Sequence, residues 1–218
     1  MKSKLLIGIA ATILGASTLP STAQVLLDYR DEAFLAGSPF YSAAEQSEIA
    51  AALQQAPAEI AARFAEEFVV RGDAVGTFTQ TDAEERIFLI QDQAANSIEP
   101  FPQTGAPMLL TMRGAEPVGF QLLPGDVQYQ RLVAVADVDG DGRDEVFLET
   151  SFMNMGQTTM SVDVAAIGTD GTTKIVETIH EVYVDGCDNP VGERLRTAST
   201  ISVEGGLNTQ SFDEPCPQ

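Results

Sequence analysis

The sequence predicts a mainly β fold of the α+β class, in which an antiparallel β-rich domain carries a helical pair at its N-terminus. Three observations support this prediction. Apolar residues recur every four positions between residues 42 and 70, they alternate with polar residues in nine later segments, and Gly, Pro, Asp and Asn separate those segments. We expect one domain over residues 24–218, with a helical segment over 24–72 and an antiparallel β region over 73–218.

The first 23 residues have the three-part pattern of a secretory signal peptide. Lys2 and Lys4 precede an apolar run over residues 5–14, and small residues lead to Ala23. The apolar run is shorter than the roughly 20 residues that a membrane-spanning helix needs. We therefore expect cleavage before Gln24, a secreted or periplasmic location, and no membrane span in the mature chain.

The helical pattern lies between Ser42 and Val70. Ser42 and Glu45 have the spacing of a capping box, and Pro57 stands where a second helix can begin. In that second helix an apolar stripe repeats every four residues, formed by Ile60, Phe64 and Phe68. The tripeptide Arg71-Gly72-Asp73 follows and predicts a turn into the β region.

Nine segments then have the alternation that is typical of half-buried strands. We expect strands over residues 75–80, 86–91, 108–113, 119–123, 131–136, 145–151, 159–167, 173–184 and 195–203. Asp170-Gly171 predicts a tight hairpin turn between two of these strands. The segment 93–107 is rich in Pro and Gln and predicts a loop.

Cys187 and Cys216 are the only cysteines of the chain. In a secreted protein an even pair predicts one disulfide bond, and the pair does not form a redox-active Cys-x-x-Cys motif. Closing a loop of about 30 residues would stabilise the fold by roughly 3–4 kcal/mol, because it restricts the unfolded chain.

The most informative motif is the acidic stretch VADVDGDGRDEVFL over residues 135–148. Alternating carboxylates separated by glycines can curl toward one centre, where they would repel each other unless a cation lay among them. Ca²⁺ accepts six to eight such oxygen ligands with flexible geometry. The sequence therefore predicts a calcium site, with ligands from the carboxylates of Asp137, Asp139, Asp141 and Glu145 and from the main-chain carbonyl of Arg143.

The spacing of these residues excludes an EF-hand. That loop needs a Glu at its twelfth position, which is Leu148 when counted from Asp137, and it needs a helix where this sequence predicts a strand. The stretch instead resembles the calcium loop of FG-GAP and VCBS repeats, with the pattern Asp-x-Asp-x-Asp-Gly-x-x-Asp between two strands. Glu145 stands at the last position of that pattern. The signature occurs once, so the resemblance implies a single β-domain with one calcium loop and not a full propeller.

Charge and the absence of catalytic motifs limit the function classes. The chain has 32 Asp and Glu against 12 Lys and Arg, a net charge of −20 at pH 7, which would repel nucleic acid. The sequence contains no Gly-x-Ser-x-Gly and no His-Glu-x-x-His, and we predict that its only histidine, His180, lies in the core or at its rim with a satisfied hydrogen bond. We predict no catalytic residues from these patterns.

Two function classes are consistent with the sequence. The first is an extracytoplasmic calcium-binding module whose ligand is a protein or a glycan. The second is a secreted, calcium-stabilised hydrolase whose acid/base pair lies among the many carboxylates. We favour the first class because the motif that stands out is a binding loop.

Overall fold

The computed structural model describes residues 25–37, 39–92, 96–98, 105–123, 127–192 and 194–216. The predicted signal peptide and part of the predicted loop 93–107 lie outside the described residues. In chain order the elements are β1 (Val25–Asp28), α1 (Glu32–Ala36), α2 (Ala43–Leu53), α3 (Ala58–Arg63), β2 (Val69–Gly76), β3 (Glu85–Gln91), β4 (Met108–Arg113), β5 (Glu116–Leu122), β6 (Arg131–Ala136), β7 (Glu145–Asn154), β8 (Gln157–Ile167), β9 (Thr173–Asp185), β10 (Leu195–Val203) and β11 (Leu207–Pro215).

The strands form two antiparallel sheets. The first sheet is a four-stranded meander in the order β2-β3-β4-β5. The second sheet has seven strands in the order β1-β10-β9-β8-β7-β6, and β11 also pairs with β10. Strand makes up 51% of the structure and helix 12%, so the predicted mainly β class with an N-terminal helical pair is confirmed, and the strands do not form a full propeller.

Helices α2 and α3 cover one face of the first sheet. Ser42 caps α2 in the predicted capping box, since the Glu45 N–H donates to Ser42 Oγ and the Ser42 N–H donates to Glu45 Oε2. The buried residues of this layer are Tyr41, Ile49, Ala52, Leu53, Ile60 and Phe64 from the helical segment and Phe88, Ile90, Met108, Leu110 and Met112 from the sheet. Removing these side chains from water holds the helices on the sheet.

The other face of the first sheet packs on the second sheet. Residues of β3 alternate between the two layers, because successive side chains of a strand point to opposite faces. Phe88 and Ile90 contact the helices, whereas Ile87 and Leu89 contact the second sheet. The layer between the sheets contains Phe78, Leu109, Leu123, Tyr129, Leu132, Val146, Leu148, Ala165 and Ile167 as well. The acidic loop therefore leads directly into the main core.

The predicted strand over 75–80 is wrong in its position. Strand β2 begins at Val69 and ends at Gly76, and Arg71-Gly72-Asp73, which we predicted as a turn, lies inside it. Gly72 has a φ of +128°, and the pairing with β3 shifts register between Val70 and Asp73. The turn-like residues thus form a β-bulge, which keeps the strand paired on both sides.

Four further details differ from the sequence-based expectations. Helix α3 ends at Arg63, so Phe68 lies beyond it. Strands β1 and β11 and the short helix α1 were not predicted. His180 is exposed, and no hydrogen bond of its side chain is found among the described residues. Glu181 has a φ of +54° and the β8–β9 register shifts beside it, so the side-chain alternation changes phase there and Val182 enters the core.

Cys187 and Cys216 form the predicted disulfide bond. The bond joins residues 29 positions apart and ties the end of β11 to the turn that follows β9. No helix in the part of the chain that the structure describes is long and apolar enough to cross a membrane.

Candidate metal site

The acidic loop is the connection between β6 and β7, and both of its ends are anchored in the second sheet. The loop spans residues 137–144, and at its base Ala136 pairs with Glu145. Val146 and Leu148 follow and are completely buried. The sequence folds locally this way because the two flanking runs are apolar and alternate, whereas the residues between them are acidic or glycine.

Carboxylates give the loop its shape by accepting hydrogen bonds from its own backbone. The N–H groups of Gly140 and Gly142 donate to the two oxygens of Asp137 at 2.7 and 3.0 Å, and the Asp141 N–H donates to Asp139 Oδ1 at 3.0 Å. Gly140 and Gly142 have φ angles of +78° and +86°. These conformations are accessible to glycine at little cost, so the two glycines allow the curl that turns the carboxylates inward.

Three of the predicted ligands converge on one point. Asp137, Asp139 and Glu145 each offer a carboxylate oxygen, and these three oxygens lie within 4.8 Å of one another. Asp139 is exposed and Asp137 is half-buried, whereas Glu145 is only 5% exposed. The Val138 N–H donates to Glu145 Oε2 at 2.8 Å and orients the buried carboxylate within the group.

The neighbouring carboxylates act unfavourably on the charge of Glu145, although the Arg143 guanidinium also interacts with Asp139 and Glu145. Burial raises the pKa of Glu145, and the nearby charges of Asp139, Asp141 and Asp137 raise it further, although the hydrogen bond from Val138 lowers it. Among the described residues, no ion pair reaches Asp137, Asp139 or Glu145. A cation among the three oxygens would remove this repulsion.

Asp141 and Arg143 occupy a different place from the other predicted ligands. The Asp141 carboxylate forms an ion pair with Arg143, whose Nη2 lies 2.5 Å and whose Nε lies 3.2 Å from Asp141 Oδ2. These hydrogen bonds lower the pKa of Asp141. Arg143 Nη1 also donates to the Ile167 carbonyl at 2.7 Å. The structure thus brings three of the five predicted ligand residues together, and metal ligation by each of the five remains a prediction.

Asp144 is a further functional residue of the loop that the sequence did not identify. Its Oδ2 accepts hydrogen bonds from the N–H and the hydroxyl of Thr77, at 2.8 and 3.2 Å, and its own N–H donates to the Thr77 carbonyl at 2.6 Å. Thr77 belongs to the β2–β3 hairpin of the other sheet. This contact fixes the loop across the sheet interface, and a pairing over 67 residues has no local signal in the sequence.

The donor set fits a hard divalent cation. Ca²⁺ binds carboxylate and carbonyl oxygens at about 2.3–2.6 Å, so two of its ligands lie at most about 5 Å apart. The 4.8 Å group meets this condition. Mg²⁺ needs near-ideal octahedral geometry at about 2.0–2.1 Å and gives up its waters reluctantly, so carboxylate and carbonyl donors from one short loop suit Ca²⁺ better.

Comparisons of the chain with family models, with curated proteins and with solved structures give no match. The resemblance to FG-GAP and VCBS loops therefore depends on the spacing of the acidic residues alone. Function has to be inferred from the residues of the loop and of the two sheets.

Proposed function

We propose that this protein is an extracytoplasmic calcium-binding β-domain, in which an FG-GAP/VCBS-like loop binds Ca²⁺. The convergence of Asp137, Asp139 and the buried Glu145 supports this proposal most strongly. Glu145 supplies the buried ligand, the two aspartates supply ligands from the exposed side, and the Arg143 carbonyl completes the set. Asp141 joins these ligands when its ion pair with Arg143 opens.

The bound ion acts as a local clamp on the β6–β7 hairpin. The core beneath the loop consists of apolar residues such as Val146 and Leu148, which are held by burial of their side chains and offer no ligand to an ion. Calcium therefore orders the loop and fixes its exposed face, and the fold does not depend on it.

Isothermal titration calorimetry with CaCl₂ tests the site. We expect uptake of one Ca²⁺ per chain by the wild type and no measurable uptake by Asp139→Asn, which removes one charge and keeps the size of the side chain. Asp170→Asn is the control, because it removes one exposed Asp charge from the β8–β9 turn, where Asp170 caps Thr172, and Asp170 is not one of the three residues whose oxygens converge. Absence of calcium uptake by the wild type at millimolar concentration would contradict the proposal.

We further propose that the domain acts as an interaction module for a protein or glycan. A hydrolase of the alternative class needs two convergent and desolvated carboxylates in a cavity. One cavity, of about 510 Å³, has Asp163 as the one acidic residue among its described lining residues. Another, of about 420 Å³, has Glu66 and Glu67, and both are exposed. These features favour the module over the hydrolase.

A pull-down from the extracytoplasmic fraction tests the interaction. The wild type is used as bait in calcium and in a chelator, and Asp139→Asn is used in calcium. We expect partners that bind only the calcium-loaded wild type, because the clamp orders the face that they contact. Recovery of the same partners under all three conditions would show that partner binding does not depend on the calcium loop, which would contradict this proposal.

A further inference from the structure

The β2–β3 hairpin has the same design as the β6–β7 hairpin. Loop one, residues 77–84, and loop two, residues 137–144, have the same length, and each leads into a buried glutamate, Glu85 or Glu145. In both hairpins the last residue of the first strand pairs with that glutamate. The first strand of each hairpin also has one register shift.

The two sequences agree at the same spacing. The identical pairs are Arg71 and Arg131, Ala74 and Ala134, Val75 and Val135, and Glu85 and Glu145. At the first, third and fifth loop positions, Thr77, Thr79 and Thr81 stand where loop two has Asp137, Asp139 and Asp141. Repetition of both pattern and pairing indicates one structural unit used twice.

The buried glutamates are held in the same way. The Phe78 N–H donates to Glu85 Oε2 at 3.1 Å, and the Val138 N–H, at the equivalent position, donates to Glu145 Oε2 at 2.8 Å. Both carboxylates therefore lie under the second residue of their loop. The two loops differ in the groups that can neutralise these carboxylates.

In loop one the protein itself supplies the neutralising groups. The Thr79 N–H donates to Glu85 Oε2 at 2.7 Å, the Thr79 hydroxyl donates to Glu85 Oε1, and Arg113 Nη2 donates to Glu85 Oε1 at 2.6 Å. Burial raises the pKa of Glu85, but these hydrogen bonds outweigh burial and hold the pKa below its ordinary value. Glu85 is thus a buried carboxylate with an arginine as its own cation.

In loop two the equivalent side chains cannot neutralise the buried carboxylate of Glu145. Asp139 replaces the donor Thr79, and an ionised carboxylate can only accept. In the first sheet Arg86 pairs with Met112, so Arg113 lies opposite Glu85 on the neighbouring strand. In the second sheet Val146 pairs with Ala165, so Ala166 lies opposite Glu145. Ala166 is therefore the equivalent of Arg113. Ala166 carries no charge. Lys174 on the next strand forms no ion pair with the described residues.

The backbone conformations of the two loops also differ at the fourth and sixth loop positions. Gly140 and Gly142 have positive φ angles, and loop one has Gln80 and Asp82 at those positions, neither with a positive φ. Loop one therefore lacks the curl that turns the loop-two carboxylates inward.

We propose that Arg113 takes in loop one the place that a divalent cation takes in loop two, so that the residue beside the buried glutamate, Arg113 or Ala166, determines whether a hairpin binds Ca²⁺. This inference rests on the calcium site proposed for loop two. It makes Ala166 a specificity-determining residue, although it is not a ligand.

The test supplies loop two with its own arginine. In Ala166→Arg the guanidinium can reach Glu145 as Arg113 reaches Glu85, since Ala166 is half-buried and open to solvent on one side. Ala166→Gln is the matched control of similar length without charge, and Ala166→Lys is a second cationic variant in case the guanidinium prevents folding. Calcium affinity is measured by calorimetry, and melting temperature is measured in a chelator.

We expect the cationic variants to bind calcium at least tenfold more weakly than Ala166→Gln, and to melt higher than Ala166→Gln in the chelator. Equal calcium affinities of wild type, Ala166→Arg, Ala166→Lys and Ala166→Gln would overturn the inference and leave the calcium site standing. A wild type without calcium uptake would overturn the calcium site. Because this inference rests on that site, it would be overturned as well, whatever the melting temperatures in the chelator.

Discussion

Calcium should raise the melting temperature of the protein by a few degrees, and replacing Asp139 with Asn should abolish that rise. Under the proposed function calcium binds the native loop, in which the three carboxylate oxygens lie within 4.8 Å of one another, and has no such site in the unfolded chain. Asp139 is a proposed ligand and its side chain is exposed, so the variant should remain folded.

The size of the rise in melting temperature follows from the calcium affinity and from the length of the chain. Extracellular calcium modules bind with dissociation constants of roughly 10⁻⁴–10⁻³ M. With a value of about 0.1 mM and free calcium of about 1 mM, binding adds about 1.4 kcal/mol to the free energy of unfolding. For a chain of 218 residues this corresponds to a rise of roughly 3–6 °C. Magnesium should give a smaller rise, because its octahedral geometry fits the loop poorly.

The assay is calorimetric or circular-dichroism melting of wild type, Asp139→Asn and Asp170→Asn in calcium, in magnesium and in a chelator. In the chelator, Asp139→Asn should melt no lower than the wild type, because it has lost one of three repelling charges. A calcium-dependent rise that Asp139→Asn retains would refute the assignment of Asp139 as a ligand. Equal rises in calcium and magnesium would refute the assignment of the site to calcium.

Three other predictions concern the fold around the site. Reduction of the Cys187–Cys216 bond should lower the melting temperature by roughly 6–16 °C, from about 3–4 kcal/mol, and thiol titration of the untreated folded protein should find no free thiol. Val146→Asp should destabilise the protein by about 4 kcal/mol or more with or without calcium, because it buries an unpaired charge at a fully buried position; unchanged melting would contradict this. Arg113→Met should lower the melting temperature more at pH 7 than at pH 3. The pKa of Glu85 is lowered in the fold, so its stabilising contribution is complete above the ordinary value of 4.5 and is lost as the pH falls through the folded pKa.

The sequence predicted those strands that are rich in apolar and β-branched residues. The bounds of β4, β6 and β10 agree with the predicted segments 108–113, 131–136 and 195–203. Strand β11 was missed because it pairs only with β10 and most of its residues are exposed, which leaves no apolar alternation. Strand β1 has only four residues, and β2 was misplaced because the bulge at Gly72 puts turn residues inside a paired strand.

The candidate site divides into a local part and a long-range part. Asp137, Asp139 and Glu145 could be predicted because their spacing within one hairpin brings them together. The pairing of Asp144 with Thr77 could not, because it depends on how two sheets pack. The similarity of the two hairpins was also hidden, since threonines replace the aspartates that make the motif recognisable.

The two hairpin loops are in contact, and this contact limits what a cation in loop two can do. Two backbone hydrogen bonds of Thr77 in loop one reach Asp144, and the single proton of the Thr77 hydroxyl is shared between Asp144 Oδ2 and the Gly142 carbonyl, each 3.2 Å from Thr77 Oγ1. The Arg113 guanidinium already neutralises Glu85 of loop one, so loop one needs no cation. Loop one therefore supports loop two in the same way whether or not loop two binds an ion. A cation bound by loop two would therefore order only the exposed half of that loop, from Asp137 to Asp141. That half is the surface which a calcium-dependent partner would contact.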